Sequence, residues 1–209
     1  MAAKLILYTN PMSRGQIARW MLEEVDETYE TIVLDYASSM KSPDYLAINP
    51  MGKVPAIVHG DKVVTECAAI CAYLADAFPA ANLAPPVDAR DAYYRWLFFA
   101  AGPVEAAVTN KSMGFTLPEG RERMAGYGTF DDAIATLEQA ISGPQWICGD
   151  QFTAADVYVG AQVDWGLSFG TIPTSPAFEA YAERLRERPA YKRQKDIDNA
   201  LIAEAQKQG

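Results

Sequence analysis

The residues best placed to do chemistry lie in Asn49 to Ile57, NPMGKVPAI, and just beyond it in Val64-Thr65-Glu66-Cys67-Ala68. Pro55 heads a short apolar strand and has no N–H to give to a sheet ladder. It therefore belongs at a strand edge or first position, with the Val54-Pro55 bond either trans or cis. A bend there exposes main chain. The N–H and C=O of Val54 can then pair with an extended peptide ligand, and Glu66 with the amides that follow it can receive that ligand's charged end at a helix start. Taken singly, Pro55 suits any edge strand and Glu66 any first helical turn. In this order and at this spacing they point to recognition of a tripeptide.

The run NP-x-GKVP with a downstream T-E-x-A-A-I resembles the glutathione site of the glutathione S-transferase family. The resemblance implies glutathione as co-substrate. Val54 and Pro55 would meet its backbone, Glu66 and Cys67 its γ-glutamyl end, and Lys53 its glycyl carboxylate. Family members most often carry Ser where this chain has Cys67, and a thiol is the weaker hydrogen-bond donor. Conjugation needs the glutathione thiol as thiolate, which a free thiol of pKa ~8.5 supplies only in small part at neutral pH. Two hydroxyls stand near the junction where the family places its activating group: Tyr8 at the end of the first strand and Ser13 before the first helix. LYTNPMSRG resembles the serine- and cysteine-type versions, which favours Ser13 over Tyr8. Asn10 and Arg14 are neighbours able to adjust the local charge. The family also implies a hydrophobic electrophile held in a cleft between two domains, for which Met12, Trp165 and Phe169 are candidates.

The expected activity is transfer of the glutathione thiolate to hydrophobic electrophiles, a detoxification chemistry. Glutathione-dependent reduction of peroxides or disulfides would use the same site. A binding or scaffold protein that keeps the fold without the activity is the alternative from another class, kept open by Cys67. By analogy the protein is a homodimer.

Composition agrees with a globular protein. The chain has 209 residues, half of them hydrophobic, and a formal net charge of −9, enough for one large domain or two modest ones. Acidic chains repel phosphate backbones, and the one basic run, Arg184 to Lys195, is interleaved with acids and reads as a solvated helix face, so nucleic acid is not an expected partner. The three cysteines, Cys67, Cys71 and Cys148, form no C-x-x-C and no zinc spacing, so no metal site is expected. Buried free thiols suit a reducing cytoplasm. The opening MAAKLILYTNP has too short an apolar run for a signal peptide, and no stretch is long enough to span a membrane. His59, the single histidine, sits beside a turn and is expected to be exposed and inert.

The elements that must hold these residues follow from periodicity. Lys4 to Thr9 reads as a buried strand, and from Ser13, standing as an N-cap, Ile17, Met21, Leu22 and Val25 recur at helical spacing. Thr28 to Leu34 is a second strand, Pro43 to Ile48 a short helix, and Ala56 to His59 and Lys62 to Val64 a hairpin about Gly60-Asp61. Glu66 to Phe78 is helical. This order resembles a thioredoxin-like domain over 1–78, followed by a Pro- and Ala-rich linker, 79–88, and an all-helical domain, 89–209. In the latter, Ala89 to Thr109 and Glu119 to Ile141 are long helical patterns. The aromatic set Tyr93, Tyr94, Trp96, Phe98 and Phe99 should serve mostly as core or subunit interface. Thr153 and Asp156 form a capping box, which gives Asp156 a structural role, and Pro176 and Pro189 mark two further helices.

Overall fold

The computed structural model describes residues 3–208. Met1, Ala2 and Gly209, which the expected domain spans include, lie outside the described residues. The chain divides into two compact units, Met1–Asn82 with Glu187–Gly209, and Leu83–Arg186. The break thus falls inside the 79–88 linker. The end of the chain clusters with the first unit, and not with the helical domain expected over 89–209.

In the first unit β1 (Leu5–Thr9), β2 (Glu30–Val33), β3 (Ala56–His59) and β4 (Lys62–Thr65) form one sheet in the order β2-β1-β3-β4. The β1/β2 pair is parallel, and β3 is antiparallel to both β1 and β4. Alternation along β1 sends Leu5, Leu7 and Thr9 to one side, all buried, and Ile6 and Tyr8 to the other. Tyr8, Ile32 and Ala56 share a small core with Leu34, Met40, Tyr45 and Val54, to which the short helix α2 (Pro43–Leu46) contributes Tyr45. Helix α1 (Gly15–Val25) buries Ile17, Met21, Leu22 and Val25, the stripe expected from its spacing. It packs against α3 (Cys67–Ala77), which buries Cys67, Ile70, Cys71 and Leu74.

Helix α9 (Pro189–Gln208) lies along α1, and charge determines how it sits there. The Arg19 Nε donates to Asp198 at 2.9 Å with both side chains 1% exposed, while another Arg19 nitrogen reaches Tyr29 and Thr31. Arg188 forks onto Glu24 with two bonds of 2.7 Å, and Arg193 bonds Glu23 at 2.9 Å. The run read as a solvated face is therefore partly a docking face. Arg188 and Arg193 recur five residues apart beside apolar positions, and the acids they meet come from a segment some 170 residues earlier.

The second unit is helical. Asp91–Phe99 forms α4 and Glu105–Ser112 forms α5, joined without a break by a π-helical turn over Ala100–Val104 that accommodates Pro103. Pro103 has no N–H for the regular ladder, and the wider turn absorbs that loss. Within α4, Tyr93 and Trp96 are buried, whereas Tyr94 and Phe98 are exposed. The expected helix from Glu119 is shorter than read: α6 spans Phe130–Ile141, capped by Thr129 accepting the Asp132 N–H at 3.1 Å. Pro118, Gly120, Gly126 and Gly128 leave 113–129 as a loop of turns with one 3-10 helical turn at Glu122–Met124, because each of these residues raises the cost of continuous helix.

Helices α7 (Ala154–Phe169) and α8 (Pro176–Arg186) complete the unit. The capping box at Thr153 and Asp156 is present. The Asp156 carboxylate, fully buried, accepts from the Thr153 N–H and hydroxyl, the Ile147 N–H and the Tyr181 hydroxyl. No helix among the described residues is long and apolar enough to cross a membrane.

Two outcomes follow for stability. Asp198→Ala leaves Arg19 buried without its counter-ion and should cost about 3–5 kcal/mol in denaturant unfolding, while the Arg19→Met/Asp198→Leu double variant should recover much of that loss. Asp156→Ala strands several buried donors and should cost at least about 3 kcal/mol. Burial raises the Asp156 carboxyl above its ordinary 3.8 despite these bonds. Its raised folded pKa means that its titration-linked stability is full below 3.8 and falls as pH rises through the folded value. The stability gap between wild type and Asp156→Ala should accordingly be wider near pH 4 than at pH 7.

Candidate functional site

Register brings three parts of the first unit to one end of the sheet. Tyr8 pairs with Ala56, and Ala56 with Thr65. One residue further along both ladders, Thr9, Pro55 and Glu66 fall opposite one another. Three separate segments thus converge where β1 leads into α1, β3 begins and β4 leads into α3.

The turn from β1 into α1 is built on Asn10, 8% exposed. Its side-chain amide donates to the Leu34 carbonyl at 2.8 Å and its Oδ1 accepts the Met12 N–H at 2.9 Å. Its own carbonyl accepts from the Ser13 hydroxyl at 2.6 Å and from the Ser13 N–H at 3.1 Å. The Ser13 Oγ in turn accepts the Gly15 N–H at 2.9 Å. The helix proper starts at Gly15 with Arg14 as its boundary residue, so Ser13, expected as the N-cap, stands one place before that position, closing a tight turn while its Oγ still takes the Gly15 N–H as a cap does. Gly15 is required here, because a Cβ would sit 1.9 Å from the Thr9 Oγ1.

A second Asn-Pro pair shapes the loop before β3. The Asn49 Oδ1 accepts the Met51 N–H at 3.1 Å and its amide donates to the Lys53 carbonyl at 2.8 Å, which also receives the Tyr45 hydroxyl at 2.6 Å. Lys41 Nζ bonds the Met51 and Gly52 carbonyls. Gly52, at φ 56°, has no room for a Cβ, which would lie 2.7 Å from the Met40 carbonyl. The loop delivers Val54 half-buried, a cis Val54-Pro55 bond, and an exposed Lys53 side chain. Among the described residues no backbone partner engages the N–H or C=O of Val54.

Glu66 is the capping residue of α3, with φ 66° and an exposed side chain. A positive φ is uncommon for a residue with a side chain and is held here by the structure on both sides. Cys67 follows, 8% exposed, its Sγ 3.5 Å from the Arg14 carbonyl as a weak donor. This contact ties the start of α3 to the start of α1. Ser13, Val54, Pro55, Glu66 and Cys67 thus belong to one neighbourhood of one unit.

Tyr8 points to the other side of the sheet from Leu7 and packs with Tyr45, ring centroids 5.5 Å apart. Met12 is 68% exposed in the turn and its carbonyl receives the Tyr36 hydroxyl at 3.4 Å. Trp165 and Phe169 belong to the second unit, near the end of α7, their rings 6.4 Å apart and Phe169 exposed. Neither lines the cavity of about 440 Å³ found in that unit between α5, the 113–129 loop and α6, whose walls include Lys111, Phe115, Leu117, Tyr127 and Phe130. His59 is not exposed as expected. It is half-buried, its Nδ1 3.0 Å from the Tyr73 hydroxyl and its ring stacked on Phe78.

Sequence reasoning treated Asn10 as a charge neighbour and did not name Asn49, Tyr45 or Lys41 as supports. The Asn-Pro dipeptides carried a usable signal, since an Asn side chain that caps the amide two residues on starts a turn and a following Pro favours it. Tyr45 and Lys41 had none, because their partners are carbonyls, present at every residue.

The sequence matches the glutathione S-transferase N-terminal domain over residues 3–76 and the C-terminal domain over residues 118–165. It is 30% identical over 168 residues to glutathione S-transferase GstA of Escherichia coli O157:H7, covering 78% of this chain and 80% of that protein. Among solved structures, a glutathione S-transferase from Xylella fastidiosa aligns with a TM-score of 0.77 at 26% identity, over 93% of this chain and 98% of that one. A sphingomonad glutathione S-transferase complexed with glutathione aligns with a TM-score of 0.75, also at 26% identity and over 93% and 98% of the two chains. With a thioredoxin-like unit, a helical unit and both domain matches in their expected order, the chain belongs to the glutathione S-transferase family.

Proposed function

We propose that this protein binds glutathione at the sheet end of its first unit and transfers the thiolate to hydrophobic electrophiles. The observation that carries the reading is the unpartnered Val54 main chain lying one ladder step from Glu66 and the α3 amides, with Ser13 beside them at the α1 start. An extended tripeptide pairs its cysteinyl N–H and C=O with Val54. Its γ-glutamyl ammonium meets the Glu66 carboxylate and its γ-glutamyl carboxylate the first amides of α3, while Lys53 takes the glycyl carboxylate. The sphingomonad relative, solved in complex with glutathione, supports glutathione as the ligand.

The sulfur then lies near Ser13. The hydroxyl hydrogen, directed at the Asn10 carbonyl, rotates to the thiolate, and the Gly15 N–H already held on Oγ polarises it toward donation. The first-turn amides of α1 add positive potential. The thiolate attacks the electrophilic carbon, whose leaving group departs with its electron pair, and no covalent intermediate with the protein forms. Analogy with the family adds a homodimer, and the buried free thiols suit a reducing cytoplasm.

Calorimetry with millimolar glutathione tests the first step, and turnover with a chlorodinitrobenzene against cumene hydroperoxide separates conjugation from peroxide reduction. Absence of binding would refute the proposal, and binding without turnover would favour a scaffold. Glu66→Ala should raise the glutathione Kd about tenfold or more, since a charge-assisted hydrogen bond contributes on the order of 1.5–3 kcal/mol. Ser13→Ala should raise the apparent pKa of bound glutathione, read as thiolate absorbance against pH, and lower kcat by about 10²-fold with little change in Kd, as for loss of one oxyanion donor. Tyr8→Phe should do less, and the opposite ranking would transfer the role to Tyr8.

A further inference from the structure

The turn that carries Ser13 is held by more than its own residues. Its carbonyls are each engaged: Asn10 by Ser13, Met12 by Tyr36, Ser13 by the Gln16 N–H, and Arg14 by the Ile17 N–H and Cys67. The Pro11 carbonyl is held by a side chain, Gln16 Nε2, at 2.6 Å. The other end of the same amide faces α9. Gln16 Oε1 accepts from Lys195 Nζ at 3.1 Å and lies 3.5 Å from Gln194 Nε2. Those two donors are themselves fixed. Gln194, 2% exposed, bonds Asp198 at 2.7 Å, the carboxylate that also receives Arg19, and Lys195 lies over the Tyr191 ring.

An amide suits this position because it donates at one end and accepts at the other, so its orientation is set by two partners of opposite kind. A chain of polar contacts thereby runs from the buried Arg19–Asp198 pair through Gln194 and Lys195 to Gln16 and on to the Pro11 carbonyl, two residues before Ser13. We propose that Gln16 is a positioning residue for the Ser13 turn, and that Lys195 of α9 orients it. The inference rests on the transferase reading, because it concerns the placement of the group assigned there to the thiolate. A misplacement of the turn costs rate rather than ligand affinity, since Val54, Glu66 and the α3 amides bind glutathione without it.

The test measures kcat and KM for glutathione with a chlorodinitrobenzene in Gln16→Met, Lys195→Met, Lys195→Arg and the Gln16→Met/Lys195→Met double variant, each first shown to be folded at the assay temperature. Gln16→Met should lower kcat about tenfold with KM for glutathione unchanged. Lys195→Met should lower it by several-fold, Lys195→Arg should restore it, and the double variant should be no slower than Gln16→Met alone, because the lysine acts through the glutamine. Amide hydrogen exchange at Met12 and Gly15 should quicken in both single Met variants and in the double variant. Wild-type kcat in Gln16→Met, or additive losses in the double variant, would overturn the positioning role while leaving the transferase reading intact. A wild type with no turnover toward any electrophile or peroxide would overturn both.

Discussion

Asn10 holds the turn from β1 into α1, and with it Ser13, in place. Buried at the end of β1, it spans from the β2 exit at Leu34 to the amide of Met12, and its carbonyl takes both donors of Ser13. Without those contacts the chain would have no reason to turn sharply between a strand and a helix while keeping Ser13 half-buried. A buried amide with both ends satisfied rigidifies, and one left half-satisfied is costly. The turn therefore has little freedom to relax, which is the condition a preorganised donor requires.

The second constraint is the ladder register. Because β3 is antiparallel to both β1 and β4, one residue number on β3 dictates which residue on each neighbour lies beside it. Pro55 at the ladder's end thus sets Thr9 and Glu66 abreast. A slip of one residue would send Val54 and Pro55 to the wrong faces and would separate the Val54 main chain from the α3 amides. Tyr45, Asn49 and Lys41 guard that register by pinning the carbonyls of residues 51–53.

Charge is buried in both units, to different ends. Asp156 organises a single junction, where four donors converge on one carboxylate at the start of α7 and tie in Ile147 and Tyr181. Arg19 and Asp198 join elements far apart in sequence, and burial raises the Asp198 carboxyl even beside the guanidinium. Such pairs seldom stabilise more than apolar residues of the same size would. What this one does is specify: α9 can lie on α1 only where Asp198 reaches Arg19 and where the Arg188 fork reaches Glu24.

Much of this was legible without coordinates wherever the determining interactions are local. Helical spacing identified α1 and α3, the Gly60-Asp61 pair the hairpin, and the Thr153 to Asp156 spacing a capping box, because each depends on residues within a few positions of one another. NPMGKVP and Thr65-Glu66 were expected to meet for the same reason, since the ladder that joins them closes over a two-residue turn. The extent of α6 was misread because apolar spacing persists across Gly120, Gly126 and Gly128 while backbone freedom does not. His59 was misread because Tyr73 and Phe78, its partners, reach it only once α3 folds back on the hairpin. Tertiary structure alone decided that α9 joins the first unit and that Gln16 spans Lys195 and Pro11. Those outcomes depend on pairing side chains with carbonyls and charges up to 179 residues away, and a sequence carries no sign of which of its many equivalent carbonyls and carboxylates a given donor will meet.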